Sequence, residues 1–141
     1  MTDTKSFEDA LIEDMRAHDG KVTSGPLAGH PLLVMTSRGA RTGDERRAIL
    51  TWHRDGDDYV VAGTAGGSPT TPAWVHNVEE HPEVALETEN RRFEARARVI
   101  AEGPERDRLW DDHVAQLPWF GDYPRTSGRV IPMVRLTPKA A

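Results

Sequence analysis

Residues 31 to 50, PLLVMTSRGARTGDERRAIL, constrain the fold more than any other stretch of the chain. The apolar run at 32 to 35 suits a buried strand. Arg38-Gly39-Ala40-Arg41-Thr42-Gly43 then places two glycines at a bend, and the chain returns as a second strand. The bend is cationic: Arg38, Arg41, Arg46 and Arg47 against Asp44 and Glu45 leave a local charge of +2, in a chain whose formal charge is -5. A turn that gathers positive charge where backbone N–H groups can face outward suits an anion. The same residues also read as an ordinary hairpin with solvated arginines.

Length and composition narrow the function classes. The 141 residues suit one domain, 1 to 141, with a single core, and apolar residues recur in periodic blocks although mean hydropathy is -0.62. A pI near 5.6 argues against a general nucleic-acid binder. The chain has no cysteine, which excludes a disulfide framework, a thiolate metal site and a cysteine nucleophile. No stretch approaches the ~20 apolar residues of a membrane span, and residues 1 to 10 lack the pattern of a secretory signal, so a cytoplasmic protein is expected.

Along the chain, residues 5 to 19 read as a helix with Phe7, Leu11, Ile12 and Met15 on one stripe. Packing on the domain edge is the plain reading of that helix; a lid, a partner contact or a touch on a membrane surface are the others, the last disfavoured for anionic lipid by its acidic polar face. Residues 47 to 53 and 59 to 63 read as strands around the hairpin Arg54-Asp55-Gly56-Asp57-Asp58. The small-residue loop 64 to 69 follows, and then a helix with Thr71 as N-cap and Pro72 at its first position, ending before Pro82. Residues 83 to 88 and 92 to 101 read as a second hairpin. In the latter strand Phe93, Ala95, Ala97 and Val99 alternate with Arg92, Glu94, Arg96 and Arg98, leaving a charged face that is solvated, a pocket wall or a homodimer seam. Gly103-Pro104 opens a helix whose stripe includes Leu109, His113 and Leu117; an aromatic loop and a last strand at 130 to 136 follow. Six short strands with two intervening helices imply an α+β protein, a small, mainly antiparallel barrel with flanking helices.

Taken together, several stretches resemble the deazaflavin-dependent nitroreductase family, reductases that use coenzyme F-420. These are Gly20-Lys21-Val22, Pro31-Leu32-Leu33, the turn at 38 to 43 with Arg46, Arg54-Asp55-Gly56, Gly66-Gly67, Pro72-Ala73-Trp74, His76-Asn77, His81-Pro82-Glu83-Val84, residues 105 to 109 and Arg129-Val130-Ile131-Pro132. The resemblance implies a split β-barrel. It implies that Arg38, Arg41, Thr42, Arg46 and Arg47 hold the anionic tail of the deazaflavin, and that its ring lies against Ala62, Thr64, Ala65, Gly66 and Trp74. It further implies Tyr123 as proton donor, with Trp119, Phe120 and Val75 shaping a pocket for a small hydride acceptor such as a quinone, enone or nitroaromatic. Two positions depart from the family pattern: Thr64-Ala65 stands where many relatives have Ser-Lys, and Val75 where many have Tyr.

The competing reading is a non-catalytic or flavin-loaded split barrel holding FMN, haem or a lipid-like ligand. No metal is expected: the six histidines contain no i, i+4 pair and no His-Glu-x-x-His run. Serine-hydrolase and phosphate-loop motifs are absent as well.

Overall fold

A computed structural model of the chain describes residues 12, 13, 16, 17, 32–64, 70–88, 91–124 and 128–139, with Trp119 described in its backbone alone. Most of the expected N-terminal helix therefore lies outside the described residues, although 12, 13, 16 and 17 are helical.

Strands β1 (Leu32–Arg38) and β2 (Glu45–Thr51) pair antiparallel from Leu32 opposite Thr51 to Arg38 opposite Glu45. The continuous apolar start of β1 is explained by burial on both faces. Leu33 and Met35 enter the barrel core, whereas Leu32 and Val34 pack outward against Ile12 and Ile49. The turn between the strands closes through Gly43 N–H to Gly39 O at 2.8 Å and Gly39 N–H to Asp44 O at 2.7 Å. Gly43 sits at φ +74°, a backbone region costly for residues with a side chain.

The strand expected at 47 to 53 is broken. Trp52 belongs to no strand and turns the chain into β3 (His53–Asp55), which pairs with β4 (Asp58–Ala62) across a tight turn. The physical reason is the indole, which is buried in the barrel and stands edge-on to Tyr59 at 4.7 Å. Seven strands result among the described residues, one more than the sequence suggests. β5 (Glu83–Thr88), β6 (Arg91–Ile100) and β7 (Met133–Pro138) complete a sheet ordered β2-β1-β5-β6-β7-β4-β3 in which every pairing is antiparallel. Its two edge strands are joined by Trp52 alone, so the sheet must curl until its edges nearly meet at that corner. This is the expected α+β split barrel.

Helix α1 (Ala73–Glu80) connects β4 to β5, and α2 (Pro104–Gln116) with a 3-10 turn (Pro118–Asp122) connects β6 to β7. The N-cap of α1 is Pro72 in extended geometry with no side-chain cap, not Thr71 as expected. The α1 side chain Val78 fills the barrel core beside Val61, Leu86 and Leu136. On the outer face, α2 buries Leu109 against Val60, Ala62, Ile100 and Met133. Burying one such aliphatic side chain contributes about 1.5–3 kcal/mol. On β6 the charged face is engaged with carboxylates: Arg96 bonds Glu83 at 2.6 Å and Arg98 bonds Glu105 at 2.9 Å.

Candidate cofactor site

Two halves of a site are expected, a cationic turn and a small-residue loop, and the structure connects both to α1. On one side, the Ala40 N–H donates to Asn77 Oδ1 at 2.9 Å, and Asn77 is itself buried. On the other, Val75 Cγ2 lies 2.9 Å from where a Cβ on Gly63 would stand, with Pro132 Cγ at 3.1 Å. Only glycine admits this approach of the end of β4 to the helix. Val75 and Asn77, two residues apart, project about 200° apart around the helix axis.

The arginines of the turn differ from most others in the fold. Arg16, Arg92, Arg96, Arg98, Arg106, Arg108 and Arg135 all face carboxylates. Arg38 instead donates to the Gly43 carbonyl and Arg46 to the Glu45 carbonyl, both at 3.3 Å, and Arg41 has no hydrogen bond or ion pair among the described residues. All four turn arginines, Arg47 included, are exposed. Neutral carbonyls leave the charge of Arg38 and Arg46 uncompensated and available to phosphate or carboxylate. Thr42 has a structural bond, its Oγ1 accepting from the Asp44 N–H at 3.2 Å. This donor set fits the anionic tail of a deazaflavin.

On the ring side, Ala62 closes β4 opposite Met133, and Thr64 is buried just beyond it. Ala65 and Gly66 lie outside the described residues. Trp74 is half-buried and packs on the barrel core. Val75, expected in the substrate pocket, is 2% exposed and forms the contact between α1 and Gly63.

Tyr123 follows the 3-10 turn and is half-buried, edge-on to Phe120 at 5.2 Å. Phe120 is buried and stands edge-on to His113 at 4.5 Å. Both aromatic rings belong to the outer cluster that contains Ala62, whereas Trp74 packs with the inner one. The pocket role expected of Phe120 thus meets a ring enclosed by α2 and Tyr123, and the Trp119 side chain lies outside the described residues.

Two contributions were not read from the sequence. Asn77 fixes the cationic turn, and Arg129 donates from Nη2 to the carbonyls of Gly63 at 2.9 Å, Thr64 at 3.1 Å and Thr70 at 3.4 Å. Burial pushes the Arg129 guanidinium below its ordinary pKa. Both residues lie in stretches that carry the family resemblance, but nothing in a lone Asn or Arg announces a bond to a distant backbone. Among the described residues, no group of three or more His, Asp or Glu is placed to hold a metal ion, and no helix is long and apolar enough to cross a membrane.

Comparison with known proteins places the chain in a family and shows the same fold. An F420H(2)-dependent quinone reductase of Mycobacterium tuberculosis is 32% identical over 138 residues, covering 89% of this chain and 91% of its own. The solved structure of an F420-H2 dependent reductase superposes with a TM-score of 0.68 at 28% identity, covering 75% of this chain and 93% of the other. The haem storage protein HutZ of Vibrio cholerae shares the fold, with a TM-score of 0.56 at 17% identity over 94% of this chain and 91% of its own. The model of the family described as F420H(2)-dependent quinone reductase matches residues 10–138, and the chain therefore belongs to that family of F420H2-dependent reductases.

Proposed function

We propose that residues 1 to 141 form one domain that binds reduced coenzyme F-420 and reduces a quinone. The observation that carries this reading is the pair of turn arginines, Arg38 and Arg46, bonded to carbonyls and left with uncompensated charge. They sit on a turn that Asn77 ties to the same helix that Gly63 approaches. When bound, the reduced deazaflavin supplies a hydride. Arg38, Arg41, Arg46 and Arg47 would hold its phosphate and carboxylates through charge-assisted bonds, and Ala62 and Thr64 would flank its ring. Reduction of a quinone to a hydroquinone takes one hydride and one proton. Tyr123 is assigned the proton: its phenol O–H donates to the developing oxyanion and is restored from solvent. The sequence reading of FMN as an alternative cofactor has no support in the family match or in the mycobacterial relative.

The test is a fluorescence titration of the purified chain with oxidised coenzyme F-420 alongside FMN, followed by turnover of the reduced deazaflavin with a quinone, an enone and a nitroaromatic. Saturable binding of the deazaflavin at micromolar concentration or tighter, with FMN much weaker and the quinone turned over fastest, is expected. Preference for FMN, or no deazaflavin binding, would overturn the reading.

A further inference from the structure

We propose that Arg129 is a positioning residue for the ring-side half of the site: it joins the two ends of the segment that follows β4 and so fixes the Thr64 backbone. The proposal rests on the cofactor reading above and deepens it.

The geometry is unusual for a strand end. In a β-strand successive carbonyls point to opposite sides. Here the carbonyls of Gly63 and Thr64 converge on one nitrogen, Arg129 Nη2, at 2.9 and 3.1 Å, so strand geometry stops at these residues. The same nitrogen lies 3.4 Å from the Thr70 carbonyl, at the far end of the segment. Its two protons are thus shared among three acceptors that the sequence separates by up to seven positions.

Gly63 is held from further sides. Its N–H donates to Pro132 O at 2.9 Å, and its Cα faces Val75 and Pro132 with no room for a methyl group. The stretch 129 to 132 therefore grips Gly63 through both its N–H and its C=O, while α1 closes the third side. Such a clamp holds the Gly63 and Thr64 backbone in place before any ligand arrives, which lowers the ordering cost that binding would otherwise carry. Arg129 bonds carbonyls on the ring side, whereas the cationic turn is held by a different contact, that of Ala40 with Asn77.

The experiment compares the full chain with its Arg129→Gln and Arg129→Lys variants. Each is titrated with coenzyme F-420 and with a truncated deazaflavin that ends at its ribityl group, and hydrogen exchange of cofactor-free protein is followed over residues 63 to 70. Arg129→Gln is expected to weaken both ligands by the same factor, about tenfold. Arg129→Lys, which keeps a charged donor but not the planar fork, is expected to show a loss of about threefold and exchange intermediate between Gln and wild type. Exchange at β1 and β2 should stay unchanged. Unaltered binding of both ligands in Arg129→Gln, or weakening confined to the tailed cofactor, would overturn the role of Arg129 while leaving the cofactor reading intact. If wild type binds neither deazaflavin, the cofactor reading falls and the ring-side role falls with it. Should Arg129→Gln not fold, exchange in Arg129→Lys decides: acceleration confined to 63 to 70 supports the clamp, and unchanged exchange there overturns it.

Discussion

His53 and His113 meet across the interface of β3 and α2 with their Nδ1 atoms 2.8 Å apart. One Nδ1 donates and the other accepts, so the accepting ring carries its proton on Nε2. Both Nε2 atoms are buried without a hydrogen-bond partner. A neutral pair tolerates this arrangement; a protonated ring would set a charge among apolar side chains.

Burial pushes His113 down to about 3, with the nearby His53 adding to the effect, and burial lowers His53 against the opposing pull of Asp112 and Asp55. Arg108 and Arg135, which also face His53, lower it further. The folded state thus binds fewer protons than the unfolded chain. Stability is full above about pH 6.5 and falls as pH drops toward 3. From His113 alone the loss at pH 5 should be about 2 kcal/mol, read as a lower urea midpoint than at pH 7.5. In His113→Leu that loss should shrink; an equally steep loss would place the acid sensitivity elsewhere.

Asp55 titrates in a lower window. Hydrogen bonds from Arg108 and Arg135 hold its carboxyl at about 2. Its contribution is present above about pH 3.8 and disappears as pH falls toward 2; Asp55→Asn should remove that low-pH loss and, because the Asp55 charge also supports protonation of His53, should leave the decline between pH 6.5 and 5 no shallower. A shallower decline in that range would contradict the assignment to the histidines.

Replacing Arg41 and Arg46 together by Ala should weaken binding of coenzyme F-420 by at least about tenfold, given the usual strength of charge-assisted bonds. A truncated deazaflavin lacking the charged tail should bind almost as before. Equal losses for the two ligands in parallel titrations would remove the tail-binding role of the turn.

Tyr123→Phe deletes the hydroxyl and retains the ring that packs on Phe120. Turnover with a quinone should fall by about 100-fold, the lower end for a positioned proton donor, with cofactor affinity unchanged. Steady-state kinetics showing wild-type kcat would dismiss Tyr123 as donor.

Gly63→Ala drives a methyl group into Val75 and Pro132, an overpacking that should cost about 1–3 kcal/mol. Shortening the opposing side chain with Val75→Ala should recover part of that loss, so the double variant should be more stable than the sum of the singles predicts. Strict additivity in thermal melts would mean that the two residues do not press on each other.

Local pattern carried the sequence reading far. The alternation at 92 to 99, the Gly56 turn and the Gly103-Pro104 helix start are short-range signals, and all three reappear as β6, the β3–β4 hairpin and α2. Trp52 was missed because alternation continues through it, and only its burial inside the barrel shows why the strand bends. Strand order was beyond reach, since β1 pairs with β5 and β4 with β7 across long stretches of chain whose patterns do not say who pairs with whom. At the site, the arginines were visible as a cluster of charge. That Arg38 and Arg46 bond carbonyls rather than carboxylates was not visible, and neither were the bonds of Asn77 and Arg129 to remote backbone, which have no spacing rule.

The position of β7 has a consequence for how the chain is made. It lies between β6 and β4, so until it arrives the sheet consists of two fragments, β2-β1-β5-β6 and β4-β3, connected through the chain but not by hydrogen bonds. On the ribosome, β7 is the last of these strands to leave the exit tunnel. The exposed flanks of β6 and β4 must wait for it, and during that wait each is a template for another chain. Closing the barrel therefore waits for β7, and anything that slows its synthesis lengthens the interval in which two nascent copies can pair by mistake.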